Sequence, residues 1–134
     1  METPLILETS FLIDLQRFAA RKKSGAAAKF LEHHSRCPLY ITFTIAGELA
    51  AGISMRDRIR WEEFLSPFYV LPWNIDVSWH YGNVYRYLSE NGMLIGANDL
   101  WIAATSLAYE IPVVTRNVRH FQRVPNLKLV RYAT

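Results

Sequence analysis

With one cysteine, six glycines and no apolar run long enough to span a bilayer, the chain lacks the raw material of several protein classes. Cys37 has no partner for an internal disulfide and no companion at zinc-ligand spacing. It reads as a small, partly buried hydrophobe in the reducing environment of the cytoplasm. The glycines fall into neither GxxxxGK(S/T) nor GxGxxG, which removes the common nucleotide-phosphate cradles. Histidines are few and badly spaced for chelation. His33 and His34 are adjacent and so lie on different helix faces, and His80 sits among aromatics as a packed residue would. His120 stands alone beside Arg119, where it could touch a substrate. Ser10 has no His or Asp companions in a nucleophile motif. The first residues, with Glu2 and an apolar stretch containing Pro4, lack the basic start and long apolar centre of a signal peptide. No membrane association is expected.

What is present is a chain of 134 residues, 51% hydrophobic, without low-complexity tracts or repeats. That composition predicts one compact domain over residues 1–134 with a real core. The net charge of +3 is a mild basic bias, compatible with a nucleic-acid partner but too small to demonstrate one. Basic residues cluster at Arg21-Lys22-Lys23, from Arg56 to Arg60 and from Arg116 to Arg123. Any one of these clusters, taken alone, is equally an ordinary solvated face.

Hydrophobic periodicity predicts short strands alternating with helices. Leu5 to Leu7, Leu39 to Thr42, Tyr69 to Leu71, Val113 to Thr115 and Lys128 to Arg131 read as strands. A helix starts near Ser10 with Phe11, Leu15, Phe18 and Ala19 on one face, and breaks at Lys22 to Gly25. Others cover Ala26 to His34, a stretch from Thr44 carrying Glu48, and Asp57 to Leu65. A long helix is capped by Asp76, with a stripe of Val77, Tyr81, Val84, Tyr85 and Leu88, and ends at Asn91-Gly92. The next opens at Asn98 or Asp99 and runs to about Tyr109. This alternation predicts an α/β fold whose mostly parallel sheet is covered on both faces, a three-layer α/β/α sandwich. In such sheets the site lies beyond the carboxyl ends of the strands, where Glu8 and the Thr115-Arg-Asn117 turn would stand.

Three carboxylates occupy surroundings that charged groups rarely enter without a partner or a metal. Glu8 closes an apolar strand, Glu48 lies inside Thr44-Ile-Ala-Gly-Glu-Leu-Ala-Ala-Gly52, and Asp99 opens a helix that is apolar to Tyr109. Glu48 has no basic residue three or four positions away, and neither does Asp99 along its helix. Each has a duller reading: Glu8 as the solvated end of a strand, Asp99 as a plain N-cap. Together they favour one acidic pocket. Asp14 pairs with Arg17 on this reading, Asp76 is a cap, and Glu62 and Glu63 are surface charges. Clustered oxygen ligands without Cys or spaced His select hard cations, Mg2+ or Mn2+. Metal-assisted phosphodiester hydrolysis is the natural chemistry, with the basic clusters as phosphate contacts.

Four ordered motifs carry a resemblance. Leu5-Ile-Leu-Glu8-Thr-Ser-Phe-Leu-Ile-Asp14, Ile45-Ala-Gly-Glu48-Leu-Ala-Ala-Gly52, Gly96-Ala-Asn-Asp99-Leu-Trp-Ile-Ala-Ala104 and Val114-Thr-Arg-Asn117-Val-Arg-His-Phe121 resemble the PIN-domain ribonucleases, and within them the VapC-type toxins of toxin–antitoxin pairs. The resemblance implies a PIN-like fold and a Mg2+- or Mn2+-dependent endoribonuclease toxin acting on structured RNA such as tRNA or rRNA. It further implies a cytoplasmic homodimer neutralised by a VapB-type antitoxin whose C-terminal segment crosses the active-site groove. By position, Glu8 and Asp99 would be the main metal ligands, Glu48 would complete the acidic centre, and Asn117 would hold a ligand water. Thr9 and Thr115 would orient these groups.

The chain departs from the family at Glu8, where Asp is the rule. The extra methylene moves a carboxylate by about 1.5 Å. Magnesium demands near-ideal geometry at about 2.0–2.1 Å, and a misplacement of about 1 Å can cost two orders of magnitude in rate. Weakened activity is therefore expected. Two other readings stay open: an impaired module that only binds RNA or antitoxin, and a PIN nuclease of RNA processing.

Overall fold

The structure is a computed structural model that describes residues 2–20 and 25–132. Five strands, β1 (Leu5–Leu7), β2 (Leu39–Thr42), β3 (Tyr69–Leu71), β4 (Val113–Val114) and β5 (Leu129–Val130), form one sheet in the order β3-β2-β1-β4-β5. Every pairing is parallel, so the expected α/β/α sandwich is found with a sheet that is wholly rather than mostly parallel. All of Leu5, Ile6 and Leu7 are buried, as a central parallel strand covered on both faces requires.

The helices among the described residues are α1 (Thr9–Ala20), α2 (Ala26–His33), α3 (Phe43–Ala50), α4 (Arg58–Leu65), α5 (Ile75–Glu90), α6 (Ala97–Tyr109) and α7 (Val118–Phe121). Phe11 and Leu15 of α1 meet the core as its periodicity predicts, while the side chains of Phe18 and Ala19 lie outside the described residues. The break at Lys22 to Gly25 lies outside them too, save for Gly25, which precedes α2 in extended backbone. Three caps differ from expectation by one to three residues. Thr42, the last residue of β2, caps α3 by accepting the Ile45 N–H at 3.1 Å, so Thr44 falls inside the helix and its buried hydroxyl has no partner among the described residues. Asn74 caps α5 by accepting the Val77 N–H at 3.0 Å, which leaves Asp76 in the first turn, where it favours the positive helix end. Gly96 precedes α6 with no side-chain cap. In each case the extended backbone before the helix comes earlier than the polar residue that invited the assignment.

The stripe of α5 is buried at Val77, Val84 and Leu88, and Tyr81 stacks on Trp101 of α6 at 4.1 Å between ring centres. Tyr85 turns outward, 46% exposed. Cys37 is half-buried against the core, as expected. The chain winds from β1 outward to β3, then returns past β1 to β4 and β5. That reversal lies between β1 and β4, and the carboxyl ends of those two strands form the crevice where α/β sheets bind ligands.

Candidate active site

Glu8 follows β1 directly, and the sheet itself sets its position: its N–H donates to the Val114 carbonyl of β4 at 3.0 Å. The next residue of β4's continuation, Thr115, therefore stands beside it. The Thr115 hydroxyl donates to Glu8 Oε1 at 2.5 Å, the Ser10 hydroxyl donates to the same oxygen at 2.7 Å, and the Ser10 N–H donates to Oε2 at 3.1 Å. Glu8 is only 3% exposed. It is no solvated strand end, because a buried carboxylate is tolerable only when its oxygens are bonded, each charge-assisted bond contributing about 1.5–3 kcal/mol. The Glu8 carbonyl also accepts the N–H groups of Phe11 and Leu12, so this one residue opens α1.

Glu48 reaches the same crevice from α3. The Thr9 hydroxyl donates to its Oε1 at 2.7 Å, and the Asn98 amide donates to Oε2 at 3.4 Å, which ties α1, α3 and α6 together at one carboxylate. Asp99 sits in the first turn of α6 but does not cap it, so the plain N-cap reading is set aside. Burial raises the Asp99 carboxyl above its ordinary value, and the nearby charges of Glu8 and Glu48 raise it further, while His120 opposes them. Three segments thus bring three acids within electrostatic reach. Among the described residues none of the three has a Lys or Arg within ion-pair distance.

Asn117 takes a different place from the one expected. Its N–H donates to the Thr115 hydroxyl at 2.9 Å, holding the turn, but its side chain is exposed and makes no hydrogen bond to the acids among the described residues. Three residues were not expected here. Ser10 is a hub: besides Glu8 it accepts the Arg116 N–H at 3.1 Å, so it fastens the β4 turn to α1. A hydroxyl two residues after a buried acid at a helix start is the signal that could have revealed it. His120 of α7 places Nδ1 3.7 Å from Asp99 Oδ2. Asp14 pairs with Arg116 at 2.7 Å rather than with Arg17, and also accepts the Tyr132 hydroxyl at 2.6 Å. No local spacing could show that pairing, since it joins residues more than a hundred positions apart.

An open groove of about 580 Å³ adjoins the acids, lined by Phe43, Thr44, Gly47, Glu48, Ala51, Asn98 and Trp101. A smaller hollow lies at the other end of α6, beside Ser106 and Ile111, away from the acids. As they stand, no three His, Cys, Asp or Glu side chains among the described residues are gathered tightly enough to cage one ion. The donor chemistry nevertheless fits a hard divalent cation, because three carboxylates face one another with no Lys or Arg to balance them. Small side-chain movements would have to close the set around it.

The comparisons agree with this geometry. A family model of the PIN domain matches residues 5–127. The chain is 30% identical to a ribonuclease VapC of Rickettsia bellii, over 94% of each chain. It superposes on the toxin of VapBC-1 from nontypeable Haemophilus influenzae with a TM-score of 0.81 at 26% identity, covering 98% of this chain and 100% of that one. A VapBC2 structure from Rickettsia felis, bound to a promoter DNA fragment, shares the fold with a TM-score of 0.81 at 24% identity, over 98% of this chain and 100% of that one. A switch-point crevice holding three carboxylates from three segments, a family model over most of the chain and VapC relatives along nearly its whole length lead to one conclusion: the chain belongs to the PIN-domain family and is of its VapC type.

Proposed function

We propose that the chain is a divalent-metal-dependent endoribonuclease toxin, cutting structured RNA such as tRNA or rRNA and neutralised by a VapB-type antitoxin. The observation that carries this reading is the convergence of Glu8, Glu48 and Asp99, with the mutual repulsion felt at Asp99. VapC ribonucleases of the PIN family are generally divalent-metal dependent, and Mg2+ or Mn2+ suits this oxygen-rich set. Glu8 and Asp99 hold the ion, and Glu48 completes the centre directly or through water. A divalent ion bound there supplies Lewis acidity at a phosphodiester oxygen and lowers the pKa of the attacking water. Thr9 fixes the rotamer of Glu48, while Ser10 and Thr115 fix that of Glu8, so little reorganisation is left for the reaction. Asn117, on the rim, orients a water through its amide. Arg116, Arg119 and Arg123 flank the crevice and hold the RNA backbone.

Glu8 in place of the family's Asp makes this form slow. Its longer arm is folded back onto Ser10 and Thr115, and Glu8→Asp is expected to raise the cleavage rate by tenfold or more. The groove beside Glu48, with Trp101 packed between Phe43 and Tyr81, accepts the antitoxin segment. A homodimer forms through the apolar surface where edge strand β3 meets the start of α5, with Tyr69, Trp73, Ile75 and Trp79 each more than half exposed. The decisive test in cells is expression without a partner. Growth arrest with fragmented RNA, stronger for Glu8→Asp and absent for Asp99→Ala, supports the reading; equal growth of all three removes the toxin.

A further inference from the structure

His120 stands in the acidic crevice with no duty assigned so far. Its position is firmly set. α7 is anchored by Phe121, fully buried beneath it, and just beyond α7 Arg123 donates to the Leu94 carbonyl at 3.2 Å, on the loop leading into α6. These two fastenings hold α7 against the start of α6, so His120 faces Asp99 across the crevice mouth. Its side chain is 55% exposed, and that of Asp99 is 24% exposed, so both remain open to a small ligand.

The separation is informative. A charge-assisted hydrogen bond between imidazolium and carboxylate closes to about 2.7–2.9 Å, whereas His120 Nδ1 and Asp99 Oδ2 stand 3.7 Å apart. They are neighbours without a direct bond. Ligands at about 2.1 Å from one ion lie about 3.0 Å apart when adjacent and about 4.2 Å when opposite. The observed spacing falls between these two values.

Resting on the metal-dependent reading above, we propose that His120 is a ligand of the active-site ion, contributing Nδ1 beside the Asp99 carboxylate. The consequence is selectivity. A site of carboxylates alone is indifferent between magnesium and manganese at best, while an imidazole donor favours the borderline transition ions. This chain's centre therefore takes Mn2+ in preference to Mg2+, and the imidazole offsets the misplacement of Glu8 by giving the ion a second firm anchor on the α6 side.

The test uses the full chain with MnCl2 or MgCl2 alone. Free Mn2+ is counted by EPR during titration, and pulsed EPR of the bound ion reads nitrogen coupling. Wild type is expected to bind Mn2+ at least tenfold tighter than Mg2+ and to show a directly coordinated imidazole nitrogen. His120→Ala, checked for folding by circular dichroism, should lose that coupling and about tenfold in Mn2+ affinity, with Mg2+ affinity nearly unchanged. His120→Asp should recover affinity without the nitrogen signal. Mn2+ bound with no nitrogen coupling, or with coupling that persists in His120→Ala, overturns the proposal and leaves the acidic centre standing. No binding by wild type, or binding indifferent to Asp99→Ala, overturns both.

Discussion

At the scale of single residues, the crevice keeps charge where the fold alone would not. The Asp99 carboxyl holds its proton more tightly in the folded chain than at its ordinary value of 3.8. Ionised Asp99 therefore costs stability, fully above its folded pKa and less as pH falls towards the unfolded value. Asp99→Asn should raise the melting temperature at pH 7 by a few degrees, and the gain should vanish in acid; thermal melts across pH 3–7 without metal check both. Tyr132 behaves in the opposite sense. Burial, and then its bond to Asp14, raise the phenol pKa. That stabilisation is complete below about pH 10, the ordinary value, and is lost as pH rises through the folded one. Tyr132→Phe keeps the edge-on packing with Phe11 but removes the hydroxyl, and should cost about 1–2 kcal/mol by urea unfolding at pH 7. The difference should shrink in strong alkali.

At the scale of elements, helix ends set the geometry of the crevice, and they are where sequence reading slipped. Thr44, Asp76 and Asn98 or Asp99 are all good capping types near real helix starts, yet Thr42, Asn74 and Gly96 take the positions. Local chemistry permits several caps; the strand or turn entering the helix selects one. The slip at α6 mattered, because removing Asp99 from the cap leaves its carboxylate for the crevice. The end of α6 carries its own strain. Glu110 adopts the left-handed conformation at φ 57° while the Ile111 N–H closes onto the Ser106 carbonyl at 3.1 Å. A side chain there costs about 1 kcal/mol. Glu110→Gly should stabilise the chain by about 0.5–1 kcal/mol in denaturant unfolding, with no effect on the crevice at the helix's other end.

At the scale of the whole molecule, the sheet was legible because its strands are short, apolar and separated by clear helical stripes. All five strands fall within the spans read from the sequence. The three acids were legible too, since each breaks an apolar context. The bonds that hold them were not. Ser10 to Arg116, Thr115 to Glu8 and Asp14 to Tyr132 join segments that meet only through strand order, and strand order is invisible to local pattern. The aromatics misled as well: an abundance that reads as core leaves Trp73 and Trp79 at 52% and 66% exposure. If that face forms the homodimer, Trp79→Glu should shift the mass in solution from dimer to monomer by light scattering while leaving the circular dichroism spectrum intact; an unchanged mass would place the interface elsewhere.

The measurement that bears most directly on the acidic centre is cleavage of total tRNA and rRNA by the purified chain, with Mn2+ or Mg2+ and with chelator, alongside Asp99→Asn. Slow cutting that needs the metal, stops with chelator and is absent from a folded, more stable Asp99→Asn is the result predicted. Cutting that survives chelation, or that Asp99→Asn performs as well as wild type, would contradict it.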